Sequence, residues 1–141
     1  MKKYHNDYDK IQRNINPIYR LIKNNRNRIY EALKSNNKAT DTINLLNCTR
    51  DFYYHWIKFN LPYEMSDDEF RNNYEIDHVV ALSSFDFSNK ENQFIAFGWE
   101  NTRPLLKSKN RSKGAKRDLY SEVLQKLKIR MFLKLYYLEY Y

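Results

Sequence analysis

Two segments decide how this chain is read: Glu75-Ile76-Asp77-His78-Val79-Val80-Ala81-Leu82 and Trp99-Glu100-Asn101-Thr102-Arg103-Pro104-Leu105-Leu106. In the first, Ile76, Val79, Val80 and Leu82 are apolar and mostly β-prone around a polar Asp77-His78 pair, so a strand is predicted over 74–82. The second reads as a strand over 99–106, entered through Asn101 and bent at Pro104. Between them, Ser88 and Glu91 have capping-box spacing and open a helix carrying Phe94, Ile95, Ala96 and Phe97, which Gly98 can end. After them, Ser108 is predicted to cap a helix bearing Asn110, Arg111 and Lys113.

This strand-helix-strand-helix stretch gathers the residue types that phosphodiester hydrolysis needs. The reaction requires a nucleophile at neutral pH, stabilisation of charge on phosphoryl oxygens, and help for the leaving oxygen. His78 is the candidate general base, because neutral imidazole accepts a proton near physiological pH. Asp77 and Asn110 are the candidate metal ligands, and their oxygen donors suit Mg²⁺ or Mn²⁺ rather than zinc. A lone Asp-His pair is weak evidence, since a single histidine is more often structural than catalytic. Two later asparagines and the Asn110-Arg111-Ser112-Lys113-Gly114 tail make the pattern specific.

The spacing resembles the HNH endonucleases, in which a ββα-metal unit places Asp-His at the end of a first strand, an Asn at the second strand and the last metal ligand on the following helix. With Asn110 in the last position, the chain is similar to the HNN variant of RNA-guided CRISPR nucleases, where nine positions also separate the two asparagines. The resemblance extends over about residues 20–116, through Arg26 to Leu33, Leu45 to Cys48, Trp56 to Phe59 and Met65, and is similar to free-standing enzymes of phages and large DNA viruses. It implies a catalytic role for His78, a loop-tying role for Asn101, and metal ligation by Asp77 and Asn110. It also implies phosphate contacts by Arg103, Arg111, Lys113 and Lys116. Many such enzymes have His where this chain has Glu75 and Gly where it has Asn47, which leaves the part played by Glu75 open.

Charge distribution points the same way. Lys and Arg number 25 against 17 Asp and Glu, for a formal charge of +8. Residues 1–34 hold nine basic and three acidic residues, 35–99 five and ten, and 100–134 eleven and three. Two basic flanks thus enclose an acidic centre containing Asp77, as expected for holding phosphates outside and a metal inside. The single Cys48 excludes an internal disulfide and a CxxC zinc knuckle, so no structural zinc is expected. Neither a signal-length apolar run nor a membrane-length one is present, and an intracellular, cytoplasmic, non-secreted protein is expected. Abundant Asn, Lys, Ile and Tyr hint at an AT-rich phage or viral genome.

Outside the catalytic stretch, helices dominate the expectation. Asn16-Pro17 reads as a cap and first helical residue, followed by Ile18, Leu21, Ile22, Ile29 and Leu33 at helical spacing. Arg20, Lys23, Arg26 and Arg28 fill the rest of that helix, as a solvated face or as phosphate contacts, with Arg26 and Arg28 the candidates for DNA. A polar linker is expected over 35–38. Thr40 or Asp41, then Thr49, and then Ser66 with Glu69 mark further helix starts. Phe52, Tyr53, Trp56 and Ile57 read as core, and Cys48 as a small buried residue. From Asp118 onward, Leu119, Val123, Leu127, Met131 and Leu135 form a stripe that either packs back on the domain or makes a homodimer seam. The terminal tyrosines 136–141 add apolar area.

The predicted architecture is therefore α+β and mainly helical, a single domain over 1–141. A helical, DNA-contacting module over 1–65 leads into a ββα-metal unit over 66–116 and a packing helix over 117–141. The function expected is a metal-dependent endonuclease that nicks or cuts duplex DNA. A structure-selective nuclease for branched DNA and a catalytically silent nucleic-acid-binding protein are the alternatives.

Overall fold

The computed structural model describes residues 2–34 and 36–140. Ser35 of the predicted linker and Tyr141 of the terminal tyrosine run lie outside these residues, as does the side chain of Tyr140. The described chain runs α1 (Lys2–Ile15), α2 (Pro17–Leu33), α3 (Thr42–Leu46), α4 (Arg50–Phe59), α5 (Asp67–Asn73), β1 (Tyr74–His78), α6 (Lys90–Phe97), β2 (Thr102–Leu106), α7 (Lys107–Lys113) and α8 (Leu119–Tyr140). Short 3₁₀ turns occupy Leu82–Ser84 and Trp99–Asn101. It is a mainly helical α+β arrangement with one small antiparallel sheet.

Helix starts follow local side-chain chemistry. Asn16 accepts from the Tyr19 N–H at 3.0 Å with Pro17 in the first position of α2. Asp41, not Thr40, caps α3, and Thr49 and Ser66 cap α4 and α5. Two predicted caps are corrected. The Ser88 hydroxyl donates to Asp86 at 2.6 Å, so Asn89 caps α6 instead. Ser108 lies inside α7, which starts at Lys107 directly from β2 without a side-chain cap. Helix α1 was not foreseen as an element. It is fixed by a polar cluster in which Asp9 accepts from Arg13 at 2.7 Å and from Tyr19 at 2.8 Å and pairs with Lys23 at 3.2 Å.

Both strands are shorter than the predicted 74–82 and 99–106. They pair antiparallel from Tyr74 opposite Leu106 to His78 opposite Thr102. Beyond that point Val79 and Val80 leave the ladder, because the backbone and side chain of Asn101 take their hydrogen bonds. Residues 99–101 form a 3₁₀ turn that follows directly on Gly98, the residue that ends α6. A Cβ on Gly98 would stand 2.8 Å from the Phe94 carbonyl oxygen, so only glycine fits without a shift.

The core joins all three predicted segments. Leu21 and Ile22 of α2, Tyr53, Trp56 and Ile57 of α4, Ile76 of β1, Trp99 and Phe132 of α8 form one buried cluster. Trp56 and Phe132 meet edge to face at 5.3 Å, and the Trp56 indole N–H donates to the Thr102 carbonyl at 3.0 Å. A second cluster links Ile29, Leu33 and Leu45 to Phe87, Ala96 and Phe97. No helix among the described residues is long and apolar enough to cross a membrane.

Helix α8 packs on the domain, but with a different face from the predicted stripe. Leu119, Val123, Leu127, Met131 and Leu135 are all more than half exposed, whereas Phe132 is buried with Ile129, Leu133 and Tyr136 beside it. The aromatic face wins because Phe132 and Tyr136 both meet Phe52, at 5.2 and 4.9 Å, and Gln125 of the same face donates to the Glu100 and Thr102 carbonyls. Phe132→Ala should therefore cost about 3–5 kcal/mol in urea unfolding, and Leu127→Gln about 0.5 kcal/mol or less. The reverse ranking would mean that the predicted stripe faces the core.

Candidate functional site

Alternation along β1 sends Glu75 and Asp77 to one face and Ile76 and His78 to the other. Ile76 enters the core, and the His78 ring stands edge-on to Phe97 at 6.3 Å. Helix α7 follows β2 without a loop and packs against both strands. It brings Asn110 and Lys113, one turn apart, over the Glu75 and Asp77 face.

Asp77 is only 4% exposed, so its charge needs partners. Arg103, its cross-strand neighbour, donates from Nε at 2.9 Å. The Lys113 ammonium lies 2.8 and 3.0 Å from the two carboxylate oxygens and also donates to the His78 carbonyl at 2.8 Å. Both Asp77 oxygens are thus engaged by cations.

Asn101 holds the loop that follows His78. Its Oδ1 accepts from the Val80 N–H at 2.9 Å, its Nδ2 donates to the carbonyls of Val80 at 3.1 Å and Ala96 at 2.9 Å, and its own carbonyl accepts from Val79 at 2.9 Å. The loop is thereby tied to the end of α6. Asn110 donates through Nδ2 to Glu75 Oε1. Glu75 in turn stands 3.9 Å from Arg28, whose guanidinium also donates to the Ile76 carbonyl.

The residues that could hold a hard divalent cation are Asp77 and Asn110, whose carboxylate and amide oxygens are of the donor type such an ion takes. Among the described residues no three His, Cys, Asp or Glu side chains gather to hold an ion. Water would complete the coordination in the free protein, with phosphate oxygens replacing some of it when DNA is bound.

The predicted phosphate contacts separate into two groups. Arg103, Lys113 and Arg28 are committed to Asp77, Glu75 and backbone carbonyls, while Arg26, Arg111 and Lys116 are exposed. Arg20 is buried and donates to the Arg13 carbonyl at 2.6 Å. A cleft of about 300 Å³ opens beside Glu75, lined by Arg20, Asn24, Arg28, Arg71 and Lys107 among others. Another of about 400 Å³ is lined by Arg13, Lys23, Arg26, Asn27, Tyr30 and Lys38. Sequence reading missed the inward turn of Arg28 and the junction of Glu75 with Asn110. Glu75 could have been found by its period-two spacing from Asp77, but nothing local marks Arg28 apart from Arg26.

Comparison with known proteins gives two viral relatives. The chain is 34% identical over 136 residues to "Uncharacterized protein L246" of Acanthamoeba polyphaga mimivirus, a match covering 95% of this chain and 59% of that protein. It is 40% identical over 50 residues to "Uncharacterized protein L426" of the same virus, covering 36% of this chain and 22% of that protein. The matches thus cover less than two thirds of the length of either relative. No family model matches it, and no solved structure matches it significantly.

Burial pushes the His78 imidazole down to about 4, the positive charges of Arg28 and Lys113 acting in the same direction and Asp77 opposing them. The unfolded chain then takes up a proton near pH 6.5 that the folded one refuses until about pH 4. This contribution to stability is complete above pH 6.5 and is lost as pH falls through that window. Urea unfolding of the metal-free protein in EDTA should lose up to roughly 3 kcal/mol between pH 7 and 4 from this group. His78→Gln should remove that part of the slope. An unchanged profile in His78→Gln would assign the acid sensitivity to other groups.

Proposed function

We propose that this protein is a metal-dependent DNA endonuclease of the HNH type. The observation that carries the reading is the hairpin running straight into α7, with Asp77, Asn110 and Lys113 converging on one strand face while Asn101 clamps the loop after His78. A Mg²⁺ or Mn²⁺ ion held by Asp77 and Asn110 would supply charge stabilisation at the phosphoryl oxygens. In this reading His78, kept neutral by burial, would take the proton from the attacking water, which requires its ring to leave its seat beside Phe97 on the face of β1 opposite Asp77. Arg103 and Lys113 neutralise Asp77, and with a divalent ion held by Asp77 they would be free to neutralise the phosphate. Exposed Arg26, Arg111 and Lys116 hold the flanking backbone of duplex DNA. The viral origin of the relatives accords with an enzyme acting on DNA in an infected cell.

One observation favours the silent nucleic-acid-binding alternative: His78 is 5% exposed, and both Asp77 oxygens are occupied by cations. A plasmid-nicking assay with Mg²⁺, Mn²⁺ or EDTA separates the two, and a branched-junction substrate separates general from structure-selective cutting. Nicking should require the ion. His78→Ala should lower its rate on the order of 10² to 10⁴-fold with DNA binding retained. Full activity in His78→Ala would sink the mechanism, and no nicking with either ion would leave the silent reading.

Because Arg28 is turned inward, only Arg26 of that pair is expected to contribute to the salt dependence of duplex binding. Arg26→Gln should flatten the slope of log affinity against log salt by about 0.9. Equal slopes for Arg26→Gln and wild type, with folding verified by circular dichroism, would restrict DNA holding to the α7 side.

A further inference from the structure

Asn110 can offer its oxygen to an ion only if its amide is held the right way round. A carboxylate only accepts hydrogen bonds, so the group facing Glu75 must be the amide nitrogen of Asn110 and not its oxygen. The amide is planar, and pinning Nδ2 on Glu75 directs Oδ1 away from it. Glu75 is itself placed from outside the hairpin. Arg28 of α2 stands 3.9 Å from Glu75 Oε2 and is anchored by donating to the Ile76 carbonyl, the backbone between Glu75 and Asp77.

We propose that Glu75 is a positioning residue that fixes the orientation of the Asn110 amide for cation binding, and that Arg28 holds Glu75 in that role. The proposal rests on the reading that Asp77 and Asn110 bind a divalent ion. It gives the amino-terminal helices a part in the metal site distinct from contacting DNA, and it assigns Glu75 a task that does not require it to touch the ion.

The test is Mn²⁺ binding to the full chain, followed by electron paramagnetic resonance without DNA, with circular dichroism and thermal melting verifying the fold. Wild type should bind Mn²⁺, and Asp77→Ala should lose it. Glu75→Ala should weaken binding about 10- to 100-fold, the usual effect of removing a partner that orients a ligand. Glu75→Gln should keep most of the affinity, because its side-chain carbonyl still accepts from Asn110. Arg28→Gln should lower affinity although it removes a positive charge near the ion, whereas charge repulsion alone would make affinity rise. This variant also carries the test if Glu75→Ala does not fold.

Wild-type affinity in folded Glu75→Ala, or a gain in Arg28→Gln, would overturn the positioning role while leaving the metal site standing. Equal loss in Glu75→Gln and Glu75→Ala would overturn it too, by making the Glu75 charge itself a ligand. Failure of wild type to bind Mn²⁺ would overturn the metal reading and this inference together.

Discussion

A carboxylate withdrawn from water must be met by cations, and at Asp77 that requirement governs how the hairpin and α7 fit together. Leaving such a charge unpaired costs several kcal/mol. One partner comes from β2 and the other from α7, so the pairing depends on both being in place. Arg103 is the direct cross-strand neighbour of Asp77. A slip of one residue would turn Arg103 to the opposite face and bring Pro104 or Thr102 opposite Asp77. Register, helix placement and charge balance are thus one constraint.

Much of the architecture was legible because it is local. Asn16, Asp41, Thr49 and Ser66 cap helices through bonds to amides a few residues away, and such bonds leave a sequence signature. The aromatic core of α4 was legible by helical spacing. Strand ends were not, because Asn101 decides where β1 stops from another part of the chain. The burial of α8 was misread since both of its faces are apolar, and aromatic fit rather than hydrophobicity selects between them. Helix α1 carries Tyr4, Tyr8, Ile11 and Ile15 at helical spacing, but they remain exposed, and the helix is fixed instead by polar contacts of Asp9. In the site, Asp77, His78, Asn101 and Asn110 were singled out by type and spacing. Their actual partners, Lys113 on Asp77 and Glu75 on Asn110, are tertiary facts.

The extent of similarity matches the extent of packing. The longer of the two viral alignments covers 95% of this chain, including much of both flanking helical regions. Those regions are not appendages: Leu21, Trp56 and Phe132 occupy the same buried cluster as Ile76 of β1. A segment limited to the hairpin and α7 would lose most of the apolar surface that fixes β1.

The inward turn of Arg28 has a consequence in time. Arg28 and Ile76 are 48 positions apart, and Asp77 and Lys113 are 36 apart, so the site closes only through long loops. Helices α2 to α4 can form from near neighbours, whereas the contacts around Asp77 wait for distant partners. During synthesis the chain extends well past β1 before α7 exists, and until then Asp77 has no lysine and Glu75 no amide. The cluster around Asp77 and Glu75 is therefore among the last parts of this fold to form.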